Sequence, residues 1–539
     1  MPKMFGDVSW VIFDESPLDA FMYGVDSNDQ VTFELSGLRT PLAELGGRYP
    51  DDEGRLMGMR RALCDALERL WVPIGSDQGV ATPRESLEPF ISTAKEMWAL
   101  TWRAKVTPDI RPDMSEKQVK AELKEAVVNS TIKTEAMLWK LIEAMGEHEL
   151  YGRIQVHHVK DERPFRTGLR TFVRMVGLNQ LVEKWNVPTL ICDATGDVEL
   201  LRMIWPQLEE PEPHGWEQLP RPPNVRVFQC VNRTISKWAV AIEGKNRKEL
   251  KRKVEGARQL YAAVLMKALQ YGGADVGVIV YKSTKEWIQK NCFVPSWMKL
   301  VHWGDVTGTN TLQYVRALFV IGRPLAAAED ATRLTEALFG GYIPQREYVV
   351  RRKQGRIPIV PDVAGNTHIR VDVQEHPHPM GERLRRQITE GNIIQAIGRA
   401  RAGLRAVGDP LDLHLWTDVP IPELGPVEPM LWSELGAGPD GLMLATKGCR
   451  LSNIADAVRA FEGLFSADGL KDARARAPRM NEANPAFIRV FYQRAGAGCK
   501  PTDAMFLKGV ANPRGWLEER LGALAWFKVQ QEEGKDEAV

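Results

Sequence analysis

The chain opens with a short apolar run, VSWVIF, that ends in an acidic pair, and then its period changes. From about Pro41 to Leu181, apolar residues recur every three or four positions, as in KQVKAELKEAVVNSTIKTEAMLWKLIEAM. Strand-like runs are few there, so the stretch reads as helical. VPTLICDATGD (187–197) is again an apolar strand followed by a polar turn. The proline-rich PQLEEPEPHGWEQLPRPPNV reads as a linker ending near Asn224. Beyond it the pattern alternates. VRVFQCV is a strand, RKELKRKVEGARQLYAAVLMKAL a long amphipathic helix, and VGVIVY, MKLVHW and VRALFVIGRP are further strands. Such alternation predicts a parallel sheet with helices on both faces. Tyr342 to Val373 reads as an inserted antiparallel ribbon, and LDLHLWTDVPIP as a closing strand. After about Glu428 the pattern mixes helices (LSNIADAVRAFEGLF, PRGWLEERLGALAWFKV) with a strand, IRVFYQRAG.

Composition narrows the class. The 539 residues suit about three domains at ~150 residues each. Hydrophobic residues make up 44% and charged residues 26%, the balance of an ordinary globular protein. No uninterrupted apolar run approaches the ~18 residues of a membrane span. The N-terminus, MPKMFGDVSW, lacks a secretion signal, so the cytoplasm is the expected compartment, with no membrane partner. The six cysteines lie far apart without a CxxC pair, which argues against a zinc ribbon or an iron–sulfur cluster. With 71 basic and 70 acidic side chains, any basic track for nucleic acid must be local.

Two stretches carry the candidate chemistry. Asp14-Glu15 stands at the tip of an apolar strand, where one carboxylate can hold magnesium through water and its neighbour can activate an attacking water. The same residues, read alone, also suit an acidic helix cap. Gln395-Ala396-Ile397-Gly398-Arg399-Ala400-Arg401 is more specific. Guanidinium forks suit a transferring phosphate, and a glycine beside them lets a helix pack close to a neighbour. A basic helix start facing solvent is the plain alternative. Arg383, Arg385 and Arg386 form a basic patch just ahead, suited to phosphate contact or to a solvated face. His157-His158 is no metal pair, because neighbours on a strand point to opposite faces. Trp303 and Tyr314 are aromatics that could stack on bases.

QAIGRAR resembles motif VI of the superfamily 2 helicases, Q-x-x-G-R-x-x-R. With that anchor VIFDES looks like motif II and LICDATGD like motif III. VGVIVYKSTKEW is similar to motif IV, and LVHWGDVTGTNTLQYVRALFVIGRP to motif V. The order along the chain fits, and the nearest likeness is to helicase-like proteins of plasmids and phages that are often fused to a primase module. The resemblance spans roughly residues 8 to 20 and 186 to 425.

It implies an α/β, RecA-like P-loop NTPase helicase core. Residues 224–425 would be one complete parallel-sheet domain carrying motifs IV to VI, and 1–20 with 186–215 the remnant of another. A helical insertion at 21–185 and an α+β C-terminal extension at 426–539 complete the expected layout. It implies an ATP-dependent motor on single-stranded or duplex nucleic acid, DNA in plasmid or phage replication, with ATP and Mg2+ as cofactors. Asp14 would coordinate magnesium and Glu15 activate water, and Asp193 and Thr195 would relay between ATP and nucleic acid. Gln395 and Arg399 would reach the γ-phosphate, with Gly398 between them. Gly308, Thr309 and Asn310 would line motif V, Thr309 on the nucleic-acid side, where Arg383 and Arg386 would also bind.

The chain departs from the family twice. The second arginine of motif VI falls on Ala402, so Arg401 or Arg405 would replace it. No G-x-x-x-x-G-K-[ST] occurs; Gly244-Lys245-Asn246 and Gly534-Lys535-Asp536 lack the hydroxyl residue, and Lys282-Ser283-Thr284 lacks the glycines. In these helicases the loop precedes motif II, and thirteen residues precede Asp14. The chain is therefore expected to hydrolyse ATP poorly alone, either as the downstream part of a longer or split protein, with an upstream chain carrying that loop as a partner, or as a fragment from a mis-called start. The alternative is a non-catalytic nucleic-acid-binding or assembly subunit that lends its arginine to a partner.

Overall fold

The computed structural model describes residues 10–530 except 15–16, 25–30, 43–49, 71–79, 149, 161–168, 180, 182–185, 194, 211–221, 244–245, 307, 309, 342, 344–346, 478–480, 482 and 497–499. Glu15, Thr309 and most of the proline-rich linker lie outside the described residues. The chain divides into two compact units. The first comprises 1–212, 326–349 and 374–387; the second comprises 213–325, 350–373 and 388–539.

In the first unit, β1 (Val11–Phe13) pairs in parallel with a strand near residue 190, described below. Next come β2 (Val31–Glu34), α1 (Pro50–Glu68), β3 (Val80–Ala81) and α2 (Arg84–Arg103). They are followed by α3 (Glu116–Glu125), α4 (Val128–Ala144), β4 (Ile154–Lys160) and β5 (Leu169–Met175). β6 (Thr189–Ile191) is the partner of β1, and α5 (Val198–Leu201) follows it. Helix α3 starts at a capping box: Gln118 N–H donates to Ser115 Oγ (3.4 Å), and Ser115 N–H to Gln118 Oε1 (2.9 Å).

The helical reading of 21–185 is incomplete, because this region also holds an antiparallel sheet in the order β2-β5-β4-β3. Helices α1, α2 and α4 cover one face with Leu63, Phe90, Leu138 and Trp139, against Val156 and Val173. The strand IQVHHVK hides its nature because its buried positions are partly polar. Gln155 Nε2 donates to Glu336 Oε2 at 2.6 Å, with both side chains buried. His157 stacks on Phe172 at 5.6 Å, while His158 Nδ1 lies 3.1 Å from Thr171 Oγ1, on opposite faces as the pleat requires. The arginines in the 163–174 stretch that are described also serve this sheet: Arg170 pairs with Glu34, and Arg174 is buried.

The second unit is built on six parallel strands: β7 (Val225–Cys230), β8 (Val276–Val280), β9 (Met298–His302), β10 (Ala317–Ile321), β13 (Leu411–Trp416) and β14 (Glu428–Met430). Between them in the chain lie α6 (Arg247–Ala268), α7 (Lys282–Asn291), the two-stranded ribbon β11 (Val349–Pro358) with β12 (His368–Glu375), and α8 (Asn392–Gly398). The sheet order is β9-β8-β10-β13-β7-β14, parallel throughout, as the alternation of the sequence requires. The five residues of β10 are all buried. Ala317, Phe319 and Ile321 face one core and Leu318 and Val320 the other. Glycine is required where β10 ends: Gly322 has φ +77°, and a Cβ there would lie 2.6 Å from Tyr281 Oη.

The remaining segments are α9 (Gly438–Lys447), β15 (Cys449–Leu451), α10 (Ile454–Ala460), α11 (Ala467–Arg476), β16 (Phe487–Arg494), β17 (Thr502–Leu507), α12 (Pro513–Leu521) and β18 (Leu524–Val529). An antiparallel sheet, β15-β17-β16-β18, joins them. Leu444, Phe487, Met505 and Leu507 share one core with Val278 and Phe319 of the parallel sheet. PRGWLEERLGALAWFKV, expected as one helix, breaks at Gly522 (φ +87°), and LAWFKV becomes the edge strand β18. Among the described residues no helix is long and apolar enough to cross a membrane.

A polar cluster in the second unit is built on buried Asp412 and His414, with Arg226 reaching it from the exposed side. The Asp412 side chain is 2% exposed and receives Arg226 Nη2 at 2.6 Å and Tyr271 Oη at 2.8 Å. Burial pushes its carboxyl up, but the bonds from Arg226 and Tyr271 and the nearby Arg316 charge leave it below the usual carboxylate range. His414 is sandwiched between Phe228 and Phe319, with ring centroids 4.8 and 4.5 Å away. Its Nε2 lies 2.6 Å from Tyr271 Oη, so it donates there while the phenol donates to Asp412. Burial, with the Lys267 charge, pulls the imidazole down to about 3. The unfolded chain takes up this proton near pH 6.5, whereas the folded chain refuses it until about pH 3. Acid therefore favours the unfolded state by up to about 1.4 kcal/mol per pH unit below pH 6.5 for this one group. Urea midpoints at pH 7, 6 and 5 should fall less steeply in His414→Gln than in the parent; equal slopes would mean that His414 titrates normally when folded.

Candidate functional site

The candidate residues fall into two groups, one in each unit. In the first, β1 carries Asp14 to the end of the β1–β6 pair, where it is exposed. Cys192 N–H donates to the Phe13 carbonyl (2.8 Å), which places the turn after β6 beside the end of β1. That turn folds on itself. Thr195 donates to Asp193 Oδ1 from both N–H (2.8 Å) and Oγ1 (3.0 Å). A Cβ at Gly196 would sit 3.1 Å from Asp193 Oδ2, an oxygen that is buried without a hydrogen-bond partner among the described residues. Asp197 then caps α5, accepting from Glu199 N–H (3.0 Å) and Leu200 N–H (3.2 Å).

Arg383, on the helix Pro379–Arg386, is drawn into this turn. Its Nη1 lies 2.9 Å from Asp197 Oδ2. Arg385 is buried against Glu382 (2.8 Å), which leaves Arg386 exposed. The basic patch read before motif VI thus separates into a positioning pair, a packed arginine and one outward cation. Among the described residues no three His, Cys, Asp or Glu side chains gather as a metal site.

The second group lies at one edge of the parallel sheet. β9 ends at His302, whose Nδ1 accepts from Gly304 N–H (3.0 Å) and whose Nε2 lies 2.9 Å from Asp305 Oδ2. Trp303 Nε1 donates to the Ile321 carbonyl (3.2 Å), so that indole is fixed in the fold rather than free to stack. The chain then turns through Gly308 (φ +77°) to the exposed Asn310 and to Tyr314, which is 76% exposed.

The segment after α8 meets this turn. Arg401 is left-handed (φ +52°), and its Nη2 lies 3.4 Å from Asn310 Oδ1. Arg405 reaches past it and donates to the carbonyls of Gln313 (2.9 Å) and Val315 (2.7 Å), with its side chain 3% exposed. Burial pulls its guanidinium below the usual range.

Motif V-like and motif VI-like residues, 91 positions apart at Asn310 and Arg401, therefore come together. Of the two candidates for the second arginine, Arg405 is consumed in holding the turn and Arg401 remains exposed beside it. Gln395 and Arg399 are half-buried on the same helical run. A Cβ at Gly398 would meet no described atom within 4 Å. Ser283 and Thr284 hold the loop before α6 and not a phosphate. Ser283 Oγ accepts from Ile242 N–H (3.1 Å), and Thr284 Oγ1 donates to the Val240 carbonyl (2.9 Å).

Sequence reasoning missed the Asp197–Arg383 pair and the buried role of Arg405, both set by partners far along the chain. The D-V-E capping signal after Gly196 was legible for Asp197. Comparison with protein-family models and with curated proteins returns no match for this chain.

Arg405→Ala should cost about 2 to 3 kcal/mol of stability, since the carbonyls of Ala400, Gln313 and Val315 lose a charged donor and Asp409 its partner. Arg401→Ala, at an exposed position, should change stability by less than about 0.5 kcal/mol. Thermal melts of the two variants check this ordering, and equal shifts would contradict the division of labour between them.

Proposed function

We propose that the parallel-sheet unit is the motif IV–VI domain of a superfamily 2 helicase-like nucleic-acid motor, acting on DNA in plasmid or phage replication. The observation that carries this reading is the meeting of the Gly308–Asn310 turn with Arg401 at the edge of a six-stranded parallel sheet. Beside that turn the exposed Tyr314 ring offers a face on which a base can stack. Arg399 and Arg401 supply permanent positive charge suited to phosphate.

The described residues do not by themselves make a site for MgATP. The sequence has no glycine-rich loop with its lysine, and Asp14 stands without a described second carboxylate beside it. No hydrolytic step follows from this chain alone. In this reading Arg399 and Arg401 add charge, and Gln395 a neutral hydrogen-bonding amide, to a triphosphate whose β- and γ-phosphates are cradled by a loop supplied from elsewhere.

The chain should bind a fluorescein-labelled oligothymidylate with an affinity that falls steeply between 50 and 200 mM salt, as on the order of several phosphate contacts requires. Tyr314→Ala should weaken that binding about five-fold or more, the value of one stacked base, while ATP turnover stays at background. Anisotropy titrations and a phosphate-release assay read these outcomes. Binding that ignores both salt and Tyr314 sinks the nucleic-acid reading. DNA-stimulated turnover lost in Arg399→Ala would instead show a complete motor.

A further inference from the structure

The first unit contains a cavity of about 930 Å³ that the motif residues do not touch. Most of its lining is aliphatic or aromatic, including Met203 and Phe339, and four polar groups of one character converge on it: Arg153, Tyr23, Lys140 and His148. Its size suits a small organic molecule.

Arg153 is the unusual member. It precedes β4, and its Nη2 donates to the Leu338 carbonyl at 3.2 Å. Its Nε is buried with no hydrogen-bond partner, and no carboxylate among the described residues pairs with it. Burial pulls the guanidinium down, and the phenol of Tyr23 is the group that acts the other way. A charge withdrawn from water without a counter-ion is costly, and native proteins normally pair it.

Tyr23 has been given room to reach the same place. A Cβ at Gly177 would sit 2.5 Å from the Tyr23 hydroxyl, so the glycine makes space for that ring. Burial raises the phenol, which keeps it a neutral donor. Lys140 and His148 add donors from the exposed side, and Glu147 is the one carboxylate among the described lining residues, itself exposed.

We propose that this cavity binds a small organic anion: an apolar, aromatic body in the Met203 and Phe339 region, with a carboxylate, sulfonate or phosphate held by Arg153 and Tyr23. The guanidinium gains an anion that no described residue supplies, and the apolar walls take the body out of water.

The test uses the full chain and two dyes of like shape, anilinonaphthalene sulfonate, which carries the anion, and phenylnaphthylamine, which does not. The sulfonate should bind saturably at one site. Arg153→Met should weaken it on the order of ten-fold or more while leaving phenylnaphthylamine nearly unchanged. Because Arg153 also holds the Leu338 carbonyl, that variant could lose its fold. Lys140→Glu, on an exposed helix position, then decides the matter, with a loss of about three-fold for the sulfonate alone. Unchanged sulfonate binding in folded Arg153→Met, equal losses for both dyes in Lys140→Glu, or binding that does not saturate overturns the proposal.

Discussion

A parallel strand whose residues are all apolar can leave neither face in water, and the second unit is organised around that constraint. β8 and β10 are apolar and buried along their whole length, and β13 is as fully buried although Asp412 and His414 interrupt its apolar positions. One face is closed by α8 and the ribbon, through Ile393, Ala396, Ile357 and Val371. The other is closed by α6 together with the C-terminal α9, β16 and β17. Asn310 and Arg401 stand at the rim of a sheet held from both sides. That fixation allows an exposed Asn310 and an exposed Arg401 to keep a defined geometry.

The same burial accounts for the Asp412 cluster. An acid inside the sheet is stable only because two arginines and a tyrosine answer it, and His414 fits between two phenyl rings only as a neutral ring. Arg405 obeys the same rule at the rim, where its charge is surrounded by backbone carbonyls. Arg153 in the first unit is the exception that shows the rule, since among the described residues its charge has one carbonyl and no acid.

The strands of the second unit could be read directly, because a short apolar run bounded by turn residues suits little besides a strand buried on both faces. The antiparallel sheet of the first unit could not. β4 interleaves Gln155 and the two histidines among its apolar positions, and their burial depends on Glu336 and Phe172, partners that no local window contains. β18 was lost to a helical reading because WLEERLGALAWF keeps an apolar period across Gly522, where the backbone turns left-handed. At the site, residue types were legible and roles were not. That Arg405 would be buried, and Arg401 left exposed, depends on carbonyls some 90 residues away. Arg383 reads as a free cation until Asp197 is seen beside it.

The first unit is not contiguous in sequence: its last piece, 374–387, follows more than a hundred residues of the second unit. A ribosome making this protein releases the N-terminal helices and their sheet long before the helix Ala328–Phe339 that caps them. Gly152 N–H, bonded to the Gly340 carbonyl at 2.9 Å in the finished fold, must wait for it. At about 5 to 20 residues per second, that wait is on the order of ten seconds or more. The parallel sheet waits as well, because one of its faces is closed by β17, which ends only at Leu507. The two units therefore differ as they emerge: the main apolar cluster of the first lies within residues 35–175 and is complete early, while the parallel sheet keeps one face open until its last strands appear.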